Sequence, residues 1–120
     1  MIKSLDIEAL VADLAGVREV AGRYAGELRG QFGPRLKRVR LFGSAARGDW
    51  TKESDIDVLV LMDELNASDY DAIIELAYKV GMQDNELIIS PLPLSEDRFN
   101  ELKNRERRLA LDIENEGMEL

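Results

Sequence analysis

The sequence predicts an α/β fold of the α+β kind, on three observations. A long stretch near the start repeats apolar residues every three or four positions, as one face of a helix does. Two seven-residue stretches, Leu36 to Phe42 and Ile56 to Met62, have strand character instead, the first alternating and the second apolar nearly throughout. Further helix-like periodicity then follows each apolar run up to the last residues.

The elements follow in order. Ile7, Leu10, Val11, Leu14, Val17, Ala21, Tyr24 and Leu28 predict an amphipathic helix from about Asp6 to Gly30, with Ser4 or Asp6 as its cap. Gly33-Pro34 should stop it. In Leu36 to Phe42, Lys37, Arg38 and Arg40 are set against Val39 and Leu41, the pattern of a half-buried strand. Ser44 to Arg47 reads as a turn opening a short helix, and Gly48 to Ser54 as a loop. Ile56 to Met62 is apolar enough to be a central strand. A helix from about Ser68 to Val80 should turn Ile73, Ile74, Ala77 and Val80 inward and end at Gly81. Glu86 to Ser90 reads as a third strand ended by Pro91 and Pro93. Ser95 should cap a helix carrying Phe99 and Leu102, and a last helix through Leu109 and Ile113 should end near Gly117. No repeat or linker interrupts residues 1–120, which are expected to form one domain.

Composition removes several chemistries. The chain has no cysteine and no histidine, so disulfides, zinc–thiolate sites, His ligation and every His-dependent triad are excluded. Acid–base work must come from carboxylates, Lys, Tyr or water. A net charge of −8 disfavours autonomous nucleic-acid binding and favours a basic protein partner. No apolar run approaches membrane-spanning length and the start lacks a signal-peptide pattern, so a cytoplasmic protein is expected.

The chemistry-bearing feature is Leu41-Phe42-Gly43-Ser44-Ala45-Ala46-Arg47-Gly48-Asp49, with ten residues separating Ser44 from Asp55-Ile56-Asp57. A Gly-Ser turn lets backbone N–H groups approach phosphates, and the helix start after it adds more donors. Asp55 and Asp57, at the mouth of an apolar strand, share one face while Ile56 and Val58 enter the core. Paired hard oxygen ligands on a rigid strand suit Mg²⁺, which takes one or two carboxylates plus substrate phosphates. Either half alone is a common turn or a common surface pair. Their joint occurrence between two strands is specific.

Phe42 to Gly48 together with Ser54-Asp55-Ile56-Asp57-Val58-Leu59-Val60 resembles the DNA polymerase β-like nucleotidyltransferase superfamily. The small size resembles its minimal branch, the MNT proteins that pair with HEPN toxins in toxin–antitoxin modules. The motif core spans about Val39 to Met62, with weaker resemblance through Ile88-Ile89-Ser90-Pro91 and Ile113 to Gly117. The resemblance implies a short mixed sheet flanked by helices, with the site on the first two strands. It implies that Gly43 and Ser44 contact a triphosphate, that Asp55 and Asp57 hold two Mg²⁺ ions, and that ATP is the nucleotide donor. It also implies a third carboxylate on a later strand, as metal ligand or base. Glu86 is the candidate for that position and Asp84 its competitor.

Other residues carry two readings. Arg47 could bind the nucleotide and neutralise developing charge, or pair with Asp49 or Glu53 to hold the fold. Trp50 could stack on a base or pack under a lid. Arg35, Lys37, Arg38 and Arg40 could attract a triphosphate, although a solvated face is the default for them and for Arg105, Arg107 and Arg108. The leading expectation is transfer of AMP from MgATP to a hydroxyl of a cognate HEPN toxin, silencing it. A non-catalytic antitoxin that masks its partner by contact is the alternative. Transfer to a small molecule of the aminoglycoside type ranks third.

Overall fold

In the computed structural model, which describes residues 4–83 and 86–120, a four-stranded mixed sheet carries helices on both faces. The elements are α1 (Ser4–Phe32), β1 (Leu36–Phe42), α2 (Ser44–Arg47), β2 (Ile56–Met62), α3 (Ala67–Gln83), β3 (Ile89–Ser95), α4 (Glu96–Arg105), α5 (Arg107–Glu116) and β4 (Met118–Glu119). A 3₁₀ turn over Gly33–Arg35 follows α1, with Gly33 at φ 57°. The side chains of residues 4–12 lie outside the described residues, and with them the capping expectations for Ser4 and Asp6. Asp84 also lies outside them.

The sheet order is β3-β2-β1-β4, with β1 antiparallel to β2 and to β4, and β2 parallel to β3. β2 is therefore central, as its apolar run predicts. It is buried on both faces: Ile56, Val58, Val60 and Met62 join one core, and Leu59 and Leu61 join the other. The first core is built by α1, α3 and the inner side of β1, through Val17, Ala21, Tyr24, Leu28, Val39, Leu41, Ile73 and Ala77. The Tyr24 hydroxyl donates to the Ile73 carbonyl at 2.9 Å, tying α1 to α3. Burial pushes the Tyr24 phenol well above its ordinary range, so it stays protonated. The second core packs Phe99 of α4 and Ile113 of α5 against the opposite face.

The start of α3 is fixed by a reciprocal cap. Asn66 Oδ1 accepts from the Asp69 N–H at 2.8 Å, and Asp69 Oδ2 accepts from the Asn66 N–H at 3.2 Å. Asp69 also accepts from Arg35 at 3.0 Å, and this guanidinium holds its carboxyl below the usual range. Ser95 caps α4 as expected, its Oγ accepting from the Arg98 N–H at 3.2 Å. α5 ends at Gly117.

Three expectations are corrected. The third strand runs over Ile89–Ser95 and contains both prolines, because β3 is an edge strand and an outward-facing Pro loses no ladder bond. Glu86 precedes it and has left-handed backbone, φ 53°. Gly81 does not end α3. It lies inside the helix, and glycine is needed there because a Cβ would sit 2.2 Å from the Leu87 carbonyl oxygen. Ile74 points outward, 39% exposed, while Ile73, Ala77 and Val80 are buried as expected.

Candidate active site

The site lies where β1 ends and β2 begins, and these two ends meet because the strands are antiparallel. Phe42 pairs with Asp57 across the ladder, so the turn after Phe42 is set directly over the first residues of β2. Gly43 has φ 70° and ψ −153°, a conformation that favours glycine. A Cβ there would also stand 2.3 Å from Asp57 Oδ2 and push that carboxylate aside. The Gly43 carbonyl accepts from the Ala46 and Arg47 N–H groups at 3.1 and 3.0 Å, which leaves the first N–H groups of α2 without partners in the helix. One residue of α1 anchors this one-turn helix: Arg18 Nε and Nη2 donate to the Ala45 and Ala46 carbonyls, each at 3.1 Å.

The loop into β2 closes on itself. Ser54 N–H donates to the Thr51 carbonyl at 2.9 Å and Ser54 Oγ accepts from the Thr51 N–H at 3.3 Å. Asp55 follows, then Ile56, whose N–H donates to the Ile88 carbonyl at 2.9 Å. Ile56 and Val58 are fully buried, and the alternation leaves Asp55 exposed and Asp57 half-buried on the same side.

These residues share one hollow of about 420 Å³, lined by Phe42, Gly43, Ser44, Arg47, Ser54, Asp55 and Asp57, with Leu109 and Asp112 of α5 as the opposite wall. Partial burial raises the Asp57 carboxyl above its ordinary value, the Asp55 charge raises it further, and Arg47 pulls it down. Two carboxylates that resist sharing negative charge beside unpaired N–H groups fit a divalent cation completed by phosphate oxygens. Among the described residues no group of three carboxylates is placed to hold an ion together.

Glu86 is not brought to this hollow. It lines a separate one of about 400 Å³ with Asp13, Gly16, Val17, Trp50, Lys52 and Leu87, on the α1 side. The position beside Asp57 in the β2–β3 ladder is Ser90. Arg47 bridges to Asp49 and to Glu116, both at 3.5 Å, while remaining 45% exposed. Trp50 is a core residue, buried against the α1 face, and its indole N–H has no partner. The three arginines of the first basic cluster are spent on the fold, while Lys37 is exposed: Arg35 meets Asp63 and Asp69, and Arg38 and Arg40 meet Glu119, with Arg38 also on Glu114. Arg40 further donates to the carbonyls of Ile113, Glu114 and Gly117 at 2.7 to 2.9 Å, closing the end of α5. Arg18, Leu109 and Asp112 are additions for which the sequence gives no local signal, because each arrives from a distant helix.

Residues 23–114 match the family described as Nucleotidyltransferase domain, most of the chain. The chain belongs to the nucleotidyltransferase family. The superfamily membership expected from the motif is thereby borne out. The candidate protein adenylyltransferase MJ0604 of Methanocaldococcus jannaschii is 37% identical over 81 residues, 68% of this nucleotidyltransferase and 76% of that protein. MJ0141 of the same organism, of the same description, is 42% identical over 59 residues, 48% of this chain and 59% of its own length. A candidate nucleotidyltransferase from Sulfolobus solfataricus has the same fold, with a TM-score of 0.59 at 23% identity over 92% of this chain and 84% of that one. A toxin–antitoxin crystal structure with AMP-PNP superposes with a TM-score of 0.55 at 22% identity, over 81% and 69% of the two chains. The mixed sheet flanked by helices is thus the nucleotidyltransferase fold. No helix among the described residues is long and apolar enough to cross a membrane.

Proposed function

We propose that this nucleotidyltransferase moves AMP from ATP to a hydroxyl of a partner protein, a HEPN-type toxin, and acts as its antitoxin. The observation that carries the reading is the single hollow that gathers Gly43, Ser44, Asp55 and Asp57. The relatives described as protein adenylyltransferases point to a protein acceptor, and the toxin–antitoxin structures of like fold point to its kind.

Asp55 and Asp57 would hold Mg²⁺, which stabilises charge on the attacking and leaving oxygens of an in-line displacement. The N–H groups at the start of α2 and the Ser44 hydroxyl would orient the β- and γ-phosphates. Arg47, on the rim and tied only by long ion pairs, would approach the phosphates when they are present. The acceptor oxygen forms a bond to the α-phosphorus, the bond to the bridging oxygen breaks, and pyrophosphate leaves with that electron pair. The hydroxyl proton passes to a carboxylate or water at the mouth of the hollow.

A second reading has one observation in its favour. Ser90 stands beside Asp57 where a strand carboxylate would complete the site, and Glu86 lies elsewhere. A chain that kept the hollow but lost fast transfer would neutralise its partner by contact.

The test is transfer of α-labelled ATP to the product of the adjacent gene, with Mg²⁺ or EDTA. Metal-dependent label on the partner, absent in Asp55→Asn, is expected. A tight complex without label would replace transfer by contact inhibition.

A further inference from the structure

α3 buries Ile73, Ala77 and Val80, yet its outer side repeats Tyr70, Ile74, Tyr78 and Met82 at four-residue spacing, which places them along one flank. Tyr78 is 70% exposed and Tyr70 47%. Beyond the helix, Ile88 is 58% exposed. These five account for most of the large apolar side chains left exposed among the described residues. Isolated apolar residues on a surface are ordinary, but a row of tyrosines and aliphatics on one helix is the composition of an interface core.

The row also leads somewhere. β2 runs away from the Asp55–Asp57 end of the sheet and α3 returns toward it, so Tyr78 and Met82 lie nearer that end than Tyr70. The chain leaving α3 packs back onto it, the Leu87 N–H donating to the Gly81 carbonyl at 2.9 Å. Ile88 then gives its carbonyl to the Ile56 N–H, one residue from Asp55. An object lying along the row would end at Ile88, on the β3 side of the sheet, next to the strand start that follows Asp55.

We propose that this row is the docking surface for a partner helix with an apolar face and basic borders, a reading that rests on the protein acceptor proposed above. Asp71 and Glu75 border the tyrosines, and Lys79 is the one base in α3. The whole chain carries −8, so a second copy would bring the same repulsive field, whereas a basic helix is attracted by it. Strand addition at the neighbouring edge is disfavoured: β3 is that edge, and Pro91 and Pro93 withhold N–H donors from it. A helix needs no such donors. Its acceptor hydroxyl would be delivered to Asp55 and Asp57 by position along the row.

The experiment titrates the full chain with the product of the adjacent gene and compares wild type with Tyr70→Ala/Tyr78→Ala and with Asp71→Lys/Glu75→Lys. All four side chains are exposed, so both variants should melt like wild type. The expected result is a loss of affinity of tenfold or more in the first variant and a several-fold slower, less salt-sensitive association in the second. Equal affinity in wild type and the tyrosine variant overturns the proposal. So does absence of a complex, or self-association that the tyrosine variant abolishes, which would assign the row to a second copy. Binding of a non-hydrolysable ATP analogue, measured on the same samples, reports on the transfer hollow separately and should be unchanged in both variants.

Discussion

Two hollows of nearly equal size open at the same end of the sheet, one on each face, and they differ in everything except volume. The first, about 420 Å³, is framed by backbone that a strand pairing and a glycine fix: Phe42 against Asp57, and Gly43 at positive φ, where a Cβ would push the Asp57 carboxylate aside. Its two carboxylates stand two residues apart on one side of the start of a buried strand. The second, about 400 Å³, mixes Asp13, Lys52 and Glu86 with the edge of a core tryptophan, and its charged groups come from loops and a helix. Volume does not locate chemistry here. What separates the hollows is rigid convergence of like-charged oxygens beside unpaired N–H groups, an arrangement that costs stability unless a cation and phosphates offset it.

Substitutions in the two hollows should differ by orders of magnitude in their effect on transfer. Asp55→Asn or Asp57→Asn should lower AMP transfer by about a thousandfold, the scale of losing a main electrostatic stabiliser of the transition state. Glu86→Gln, in the other hollow, should stay within about twofold, which parallel assays on the same partner protein would check. Gly43→Ala should displace Asp57 and the α2 turn and cost transfer about a hundredfold, as small misplacements of reacting groups do, with near-normal far-ultraviolet circular dichroism. Away from both hollows, Asn66→Ala removes half of the α3 cap and should cost about 1 kcal/mol in urea unfolding without changing transfer.

The smallest effect concerns pH. The Asp57 carboxyl is raised in the folded protein by burial first and by Asp55 second. A raised carboxyl adds stability below its unfolded value and loses that contribution as pH rises through the folded value. At neutral pH Asp57→Asn should therefore be the more stable protein, by less than about 1 kcal/mol because the group is only partly shielded from solvent. The gap should close as pH falls, and thermal melts across the acid range would show it.

Most of this contrast was legible in residue order. β1, α2 and β2 have the bounds their patterns predict, because alternation, a Gly-Ser turn and an apolar run are all local signals. The pair Asp55 and Asp57 could be placed on one face from spacing alone. β3 could not, since proline argues against a strand except at an edge, and edge position is a property of the finished sheet. That misplacement carried Glu86 with it, from a strand face to a loop with left-handed backbone. Gly81 reads as a helix stop but serves a close approach to Leu87, again a tertiary fact. The basic residues before Gly43 invite a phosphate reading, yet acids more than seventy residues later claim Arg38 and Arg40. Asp112 reaches the hollow only because α5 packs across the sheet, and no local pattern announces that.

The most direct test of the central claim needs no partner protein. Mn²⁺ with a non-hydrolysable ATP analogue would be added to isotope-labelled protein, and amide line broadening followed by NMR. Broadening that begins at Gly43, Ser44, Asp55 and Asp57, while Asp13 and Glu86 stay sharp, is the predicted result. Broadening that begins at Lys52, Glu86 and Leu87 would place the metal–nucleotide in the other hollow and contradict the account.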